Sequence, residues 1–179
     1  MKIFTSFIFA MVFAFSFSTA VHLTAQSADQ KKKKPVYRKA RVLQASTAKK
    51  IVKIVEALEQ MDDEGNEAPD WNKAKEILTE LYNKRSEMKS YDRSVMWNYW
   101  GYIYFSEEKY DQAMNAYEML LNEPEATIPL RTSSLLTLAQ LNMVNEDYDR
   151  GIELILQWMD EVEKITAQSH YLLSQAYYN

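Results

Sequence analysis

Few residues of this chain have the types that carry out bond chemistry. The sequence holds no cysteine, which excludes disulfides, thiol catalysis, cysteine-bound zinc and lipid attachment to a cysteine. It holds two histidines, and His22 falls in the leader described below. His170 is therefore alone in the body of the chain, and a histidine metal site or a Ser-His-Asp relay lacks its parts. We expect His170 to be a packing residue on a helix.

Carboxylates are more abundant, but their spacing does not predict a site. The run DDEGNEAPD at 62–70 does not follow the 12-residue calcium loop with its final bidentate glutamate. Glu107, Glu108 and Asp111 lie in and after a short turn, where acidic groups favour a helix N-terminus. Phosphate loops, nucleophile elbows and HExxH motifs do not occur. We expect no metal, no cofactor, no small-molecule substrate and no catalysis within these residues.

The elements that position the remaining side chains belong to an internal repeat. Gly101 and Ala139 fall in register at an offset of 38 residues, and four further pairs share that offset: Tyr110 with Tyr148, Asp111 with Asp149, Ala113 with Gly151, and Tyr117 with Ile155. Apolar residues spaced three and four apart predict a helix, a short polar turn and a second helix in each unit. An earlier unit has its helices at 46–61 and from Trp71, and a later one starts at His170.

Gly101 is unusual, because glycine inside a helix costs about 1 kcal/mol relative to alanine. Two antiparallel helices approach closely only where a side chain is very small. We therefore expect Gly101 on the first helix and Ala113 on the second helix to form such a contact. The aromatic residues around them each bury on the order of 150–250 Å² when packed, which offsets the cost.

The start of the chain predicts export. Lys2 precedes an apolar stretch from Ile3 to Phe17, and small residues follow. We expect 1–25 to be a secretory signal, cleaved after Ala20 or Ala25, and the alternative is an uncleaved anchor. Residues 26–45 form a basic, flexible linker whose lysine run at 31–34 is a solvated spacer or a contact for acidic groups. The formal net charge of −4 argues against nucleic acid as a partner.

The second unit resembles the tetratricopeptide repeat (TPR). The family's characteristic positions are occupied here by Trp97, Trp100, Gly101, Tyr104, Ala113, Tyr117, Leu120 and, one place early, Pro124. The next unit departs from the family in having Asn142 for the tyrosine and a period about four residues longer than the usual 34. The resemblance implies an all-α fold over 46–179, a right-handed superhelix of helical hairpins.

In that family the first helices of the hairpins line a concave face. The resemblance places Val95 there, together with nine residues that we predict to bind a protein partner: Asn98, Tyr102, Phe105, Leu136, Gln140, Met143, Tyr171, Gln175 and Tyr178. The amides suit an extended peptide backbone, and the aromatic rings offer apolar contact. For each residue, packing against a neighbouring helix is the alternative. The lysines with which the family clamps a terminal carboxylate are missing.

The amino-acid sequences of the repeats resemble those of exported TPR proteins that are encoded beside the TonB energy-transduction genes of proteobacteria. The similar segments are SYDRSVMWNYWGYIYF at 90–105, IPLRTSSLLTLAQL at 128–141 and GIELILQW at 151–158. The resemblance implies a periplasmic scaffold that serves a TonB nutrient-import complex. Alternatives are an adaptor for another envelope assembly or secretion system, and the docking module of a longer enzyme. The sequence ends within a first helix, so we expect further repeats or self-association.

Overall fold

The computed structural model describes residues 41–162, 165 and 167–178, and the regular structure in this part is helical. Seven α-helices follow one another there: α1 (Ala45–Leu58), α2 (Trp71–Asn83), α3 (Ser90–Ser106), α4 (Tyr110–Leu121), α5 (Ile128–Val144), α6 (Tyr148–Glu161) and α7 (Ala167–Tyr178). A 3-10 turn, Arg85–Glu87, lies between α2 and α3. The expected all-α class is confirmed. The predicted signal at 1–25 and residues 26–40 of the predicted linker lie outside the described residues.

Each helix packs against the next one in the chain. We call α1–α2, α3–α4 and α5–α6 the first, second and third hairpins. In addition α3 packs against α5, so each of these two helices contacts three others. The sequence of α3 explains its position, because apolar residues occur around its whole circumference, and a helix of that kind needs cover on several sides.

The second and third hairpins repeat each other. Helices α3 and α5 have 17 residues each and begin at Ser90 and Ile128, which are 38 positions apart. Helices α4 and α6 begin at Tyr110 and Tyr148, which have the same separation. The predicted period is therefore confirmed for these two hairpins.

The turns inside these hairpins have the same hydrogen bonds. The N–H of Lys109 donates to the carbonyl of Tyr104 at 2.8 Å, and the N–H of Glu108 donates to that of Phe105 at 3.0 Å. The bonds 38 residues later, from Asp147 and Glu146, measure 2.9 and 3.1 Å. This pair of bonds is the Schellman arrangement that ends many helices. Glu108 and Glu146 accordingly have positive φ, 59° and 63°, where glycine is the usual residue.

The first hairpin differs from the other two in its connection. Helix α1 ends at Leu58, three residues before the predicted end at 61, and a loop follows over 59–70. Helix α2 begins at Trp71 as predicted, because the side chain of Asp70 accepts a hydrogen bond from the N–H of Lys73 at 2.8 Å and caps the helix.

At Gly101 the tightest approach comes from an aromatic ring of the second helix. Ala113 is fully buried, but a Cβ atom at Gly101 would meet the ring of Tyr117, with Cε1 only 2.6 Å away. The glycine is therefore needed because an aromatic ring lies against its backbone. In the third hairpin the glycine is on the second helix, at Gly151, and a Cβ there would meet Met143 Cγ at 2.9 Å.

The far ends of the second and third hairpins are held by matching ion pairs. Arg93 donates to both carboxylate oxygens of Glu123 at 2.6 and 2.7 Å. Arg131 donates to both oxygens of Glu161 at 3.0 and 2.6 Å. Each partner stands 30 residues after its arginine. These hydrogen bonds raise the pKa of both guanidinium groups, so both arginines stay charged.

A buried carboxylate joins the first and second hairpins. Asp92 of α3 is fully buried. It accepts hydrogen bonds from the hydroxyl of Thr47 at 2.8 Å and from the N–H of Gln44 at 3.2 Å. Helix α1 has no cap from its own residues. Asp92 thus places negative charge at the positive end of α1, where it is stabilised.

The core consists of two clusters of buried residues. The first includes Ile54 of α1, Leu78 of α2 and Met96 of α3. The second includes Tyr117 of α4 and continues through α5 and α6 to Ala176 of α7. Some of the predicted binding residues pack against these clusters: Tyr102 lies against the first, and Phe105 and Met143 lie against the second.

Candidate functional site

The predicted partner-binding residues of α3 and α5 occupy similar environments. The three residues of α3 and the three of α5 are all partly exposed: Asn98, Tyr102, Phe105, Leu136, Gln140 and Met143. Because α3 packs against α5, the two sets lie on neighbouring helices. Across the two helices the six side chains include two amides, Asn98 and Gln140, and four apolar or aromatic groups.

Both aromatic residues of the α3 set also pack within the molecule. The ring of Tyr102 lies 6.0 Å from the ring of Trp71 between centroids, and the ring of Phe105 lies 6.0 Å from that of Tyr110. Burial raises the pKa of the Tyr102 hydroxyl. These rings present one side to the protein and can offer only the rest of their surface to a partner.

On α5 the three residues are not equivalent. Met143 packs over Gly151, since its Cγ lies 2.9 Å from the position of a Cβ there. Its thioether therefore fills the gap that the glycine leaves. Leu136 and Gln140 are the other two predicted residues of α5, and both are partly exposed. For Met143 the structure supports the packing alternative.

The α7 residues are the most open of the predicted set. Tyr171 is 60% exposed and Tyr178 is 92% exposed. Gln175 is partly exposed, and its side-chain amide donates a hydrogen bond to the hydroxyl of Tyr171 at 2.9 Å. His170 is exposed as well, so the expected packing role is wrong. The reason is that α7 packs against α6 and its outer side has no cover among the described helices.

Charged groups flank the tyrosines of α3. Glu59 adds to the burial that raises the pKa of Tyr99. At the turn after α3, Glu107 pairs with Lys109 at 2.8 Å and with Lys75 of α2. Hydrogen bonds from these two lysines lower the pKa of Glu107. This end of the surface therefore carries fixed charges of both signs.

The acidic run at 62–70 uses its first carboxylate to shape its own loop. Asp62 accepts hydrogen bonds from the N–H groups of Glu64 and Asn66 at 2.9 and 2.8 Å. In the part of the chain that the structure describes, no group of three or more His, Cys, Asp or Glu side chains is placed to hold a metal ion. The loop is built as a turn in which Gly65 has a φ of 83°.

No protein-family model, curated protein or solved structure matches this chain. The site is therefore interpreted from its own geometry. Of the helices at residues 45–161 and 167–178, none is long and apolar enough to cross a membrane.

Sequence reasoning missed the two Arg–Glu pairs, although a signal for them existed. Arg93 with Arg131, and Glu123 with Glu161, stand at the offset of 38 that defines the repeat. Identical charged residues at the same place in two units indicate a shared contact. The pairs used to define the offset lie between 101 and 155, and only the pair of Asp111 and Asp149 among them is charged, so these arginines and glutamates were not considered.

Proposed function

We propose that this chain is an exported TPR-like scaffold that binds a protein partner through the surface formed by α3 and α5. The partner we propose is a subunit of a TonB energy-transduction complex in the periplasm. The scaffold positions its partner and makes or breaks no bonds. In this proposal the hairpins stack as a right-handed superhelix that presents the first helices on its concave side.

One observation carries the binding part of the proposal. Helices α3 and α5 each contact three other helices, yet each keeps a partly exposed amide, Asn98 or Gln140, among partly exposed apolar groups. Stacked helix pairs form extended surfaces of this kind, and amides there can pair with the backbone of an extended peptide. The export part of the proposal rests on the sequence of the leader. The TonB part rests on the resemblance of the repeat sequences to those of exported TPR proteins.

The test is a pull-down from detergent-solubilised membranes of the source cell with the tagged protein as bait. The test variant is Asn98→Ala/Gln140→Ala, which leaves the aromatic packing intact. The chain offers a matched control, because Asn115 and Gln157 are exposed residues of the same types on the second helices of the same hairpins. Asn115→Ala/Gln157→Ala therefore removes the same groups from a different surface.

We expect TonB-complex subunits to be captured by the wild type and by the control variant, and to be lost with the test variant. Capture of other envelope proteins without any TonB component would overturn the TonB assignment and would favour the adaptor alternative. Equal capture by both variants would overturn the α3–α5 surface as the binding site. Far-ultraviolet circular dichroism of each bait shows that folding is unchanged.

A further inference from the structure

A second candidate site lies on another side of α3. A cleft of about 360 Å³ is bordered by the 3-10 turn, by α3 and by the end of α4. Its lining residues are Arg85, Ser86, Arg93, Trp97, Met119 and Glu123. The volume is at the lower end of the range for ligand sites in proteins. No residue of the proposed partner-binding surface contributes to it.

The cleft carries one positive charge that its other residues do not balance. Glu123 is its only acidic lining residue, and both of its oxygens accept hydrogen bonds from Arg93. Arg93 uses its remaining nitrogen to donate to the carbonyl of Met88 at 2.7 Å. Arg93 and Glu123 are therefore paired with each other. Arg85 is the remaining charged residue of the lining, and no acidic lining residue pairs with it.

Arg85 is held in place while most of its donors remain available. Its guanidinium lies 3.9 Å above the ring of Tyr82, and Nη1 donates to the carbonyl of the same residue at 3.0 Å. A guanidinium has five N–H donors, and this is its one hydrogen bond to a described residue. The stacking fixes the plane of the group, which reduces the entropy lost when a ligand binds.

The remaining wall of the cleft is apolar. The indole of Trp97 packs edge-on against the ring of Tyr82, with centroids 5.7 Å apart. Met119 is 40% exposed and adds an adaptable thioether opposite it. The cleft therefore joins a fixed cation, the hydroxyl of Ser86 and an apolar surface within one small volume.

We propose that this cleft binds a peptide carboxylate that is carried next to a bulky apolar side chain. Arg85 takes the carboxylate through paired N–H donors, Ser86 adds a hydroxyl donor, and the apolar group covers Trp97 and Met119. One unbalanced positive charge matches a single carboxylate better than a phosphate, which carries a charge of about −1.5 to −2. The carboxylate is either a C-terminus or an acidic side chain. The proposal does not rest on the proposed TonB function.

The test is a titration followed by the indole N–H resonance of Trp97 in the ¹⁵N-labelled protein, assigned with Trp97→Phe. Three acetylated tetrapeptides serve as probes. One ends in leucine with a free carboxylate, the second is its C-terminal amide, and the third is an amide with aspartate beside leucine. We expect a saturable shift with the first probe, the third probe or both, which identifies the source of the carboxylate. A saturable shift of equal affinity with the second probe, or none with any probe, would overturn the proposal.

Two variants and one control complete the test. Arg85→Gln should weaken binding by roughly tenfold or more, since a hydrogen bond to a charged group is lost. Ser86→Asp should weaken it as well, because it adds a negative charge beside the ligand. Both residues are exposed, so we expect both variants to fold. The control is Arg150→Gln, which removes an arginine paired with Glu153 on α6 and should leave binding unchanged. Wild-type affinity in Arg85→Gln would overturn the proposal.

Discussion

The second and third hairpins share a backbone and differ in how their helices cross. Both have the same turn hydrogen bonds and the same Arg–Glu pair at the far end. At the crossing, the second hairpin places Tyr117 against Gly101, whereas the third has Ile155 and Ala139 at those positions. The glycine and the large side chain occur together in one unit and are replaced together in the other. The turns and the Arg–Glu pairs are therefore repeated in the two hairpins, whereas the residues that pack where the helices cross differ between them.

The contacts that join successive hairpins differ in a similar way. Lys75 of α2 pairs with Glu107 at the turn after α3. At the corresponding place one hairpin later, the side-chain amide of Asn145 lies 4.0 Å from the sulfur of Met114. The first junction is therefore ionic and the second is neutral. Acid and salt should affect the two junctions differently.

The crossing gives the largest expected difference between the hairpins. Gly101→Ala should lower the free energy of unfolding by about 2–3 kcal/mol, because the new methyl group overlaps the buried ring of Tyr117. Gly151→Ala should change it by less than about 1 kcal/mol, since Met143 can adjust and alanine favours the helix. Urea unfolding of both variants measures the difference.

A double variant sharpens this test. Gly101→Ala combined with Tyr117→Ile gives the second hairpin the crossing residues of the third. We expect the pair to be more stable than the sum of the two single effects, because the overlap disappears with the ring. Equal losses for the two glycine variants, or strict additivity in the double variant, would contradict the role assigned to the ring.

Breaking the Arg–Glu pairs should give the second largest difference in the free energy of unfolding. Arg93→Gln should cost about 2 kcal/mol and Arg131→Gln about 1 kcal/mol, because breaking a pair costs more when the remaining carboxylate is buried. The side chain of Glu123 is 9% exposed and that of Glu161 is 22% exposed. Thermal unfolding of both variants in the same buffer measures the order. A larger loss for Arg131→Gln would show that exposure does not set the strength of these pairs.

The turns should respond equally in the two hairpins. Glu108→Gly and Glu146→Gly should each raise the free energy of unfolding by about 0.5–1 kcal/mol, because glycine adopts positive φ without a Cβ penalty. Glu118 is an exposed glutamate inside α4, and Glu118→Gly should instead cost about 1 kcal/mol. Chemical unfolding of the three variants measures these changes. A loss of stability in either turn variant would contradict the shared turn geometry.

The smallest expected effect is a pH dependence at the ionic junction. Lys109 and Lys75 lower the pKa of Glu107 below its ordinary value of 4.5, so this group stabilises the fold above pH 4.5 and loses that contribution as the pH falls through the lowered pKa. Glu107→Gln should cost less than about 1 kcal/mol at pH 7. Its stability should approach that of the wild type at the acidic end of a titration from pH 7 to pH 3. A constant difference over this range would exclude the ionised carboxylate as the cause.

Much of the framework could be predicted from the sequence because its signals are local. The offset between Gly101 and Ala139 also relates Tyr110 to Tyr148, and the two second helices begin at these tyrosines. The end of α1 was missed by three residues, since Glu59 and Gln60 continue a helical composition although the chain turns there. The carbonyls of Ala57 and Gln60 accept hydrogen bonds from Asp70 and Ala68 of the following loop, and residue types alone do not predict such bonds.

The residues of the candidate site could be placed on helices but not assigned to a role. The resemblance to TPR proteins put Tyr102 and Met143 on the concave side of their helices, and both are partly exposed. It could not show that Tyr102 packs on Trp71 or that Met143 fills the space over Gly151. These contacts depend on the distance between helices, which no spacing within one helix determines. The same limit explains why the sequence did not single out the ring of Tyr117 as the group nearest to Gly101.

The carboxylate of Asp92 has a consequence for the order of folding during synthesis. Thr47, in the first turn of α1, is synthesised 45 residues before Asp92, to whose carboxylate its hydroxyl donates a hydrogen bond. A 14-residue helix is marginal by itself in water. Helix α1 should therefore fray until α3 has been made. The first hairpin, although it is translated first, would then complete its folding only after the second hairpin has formed and supplied Asp92.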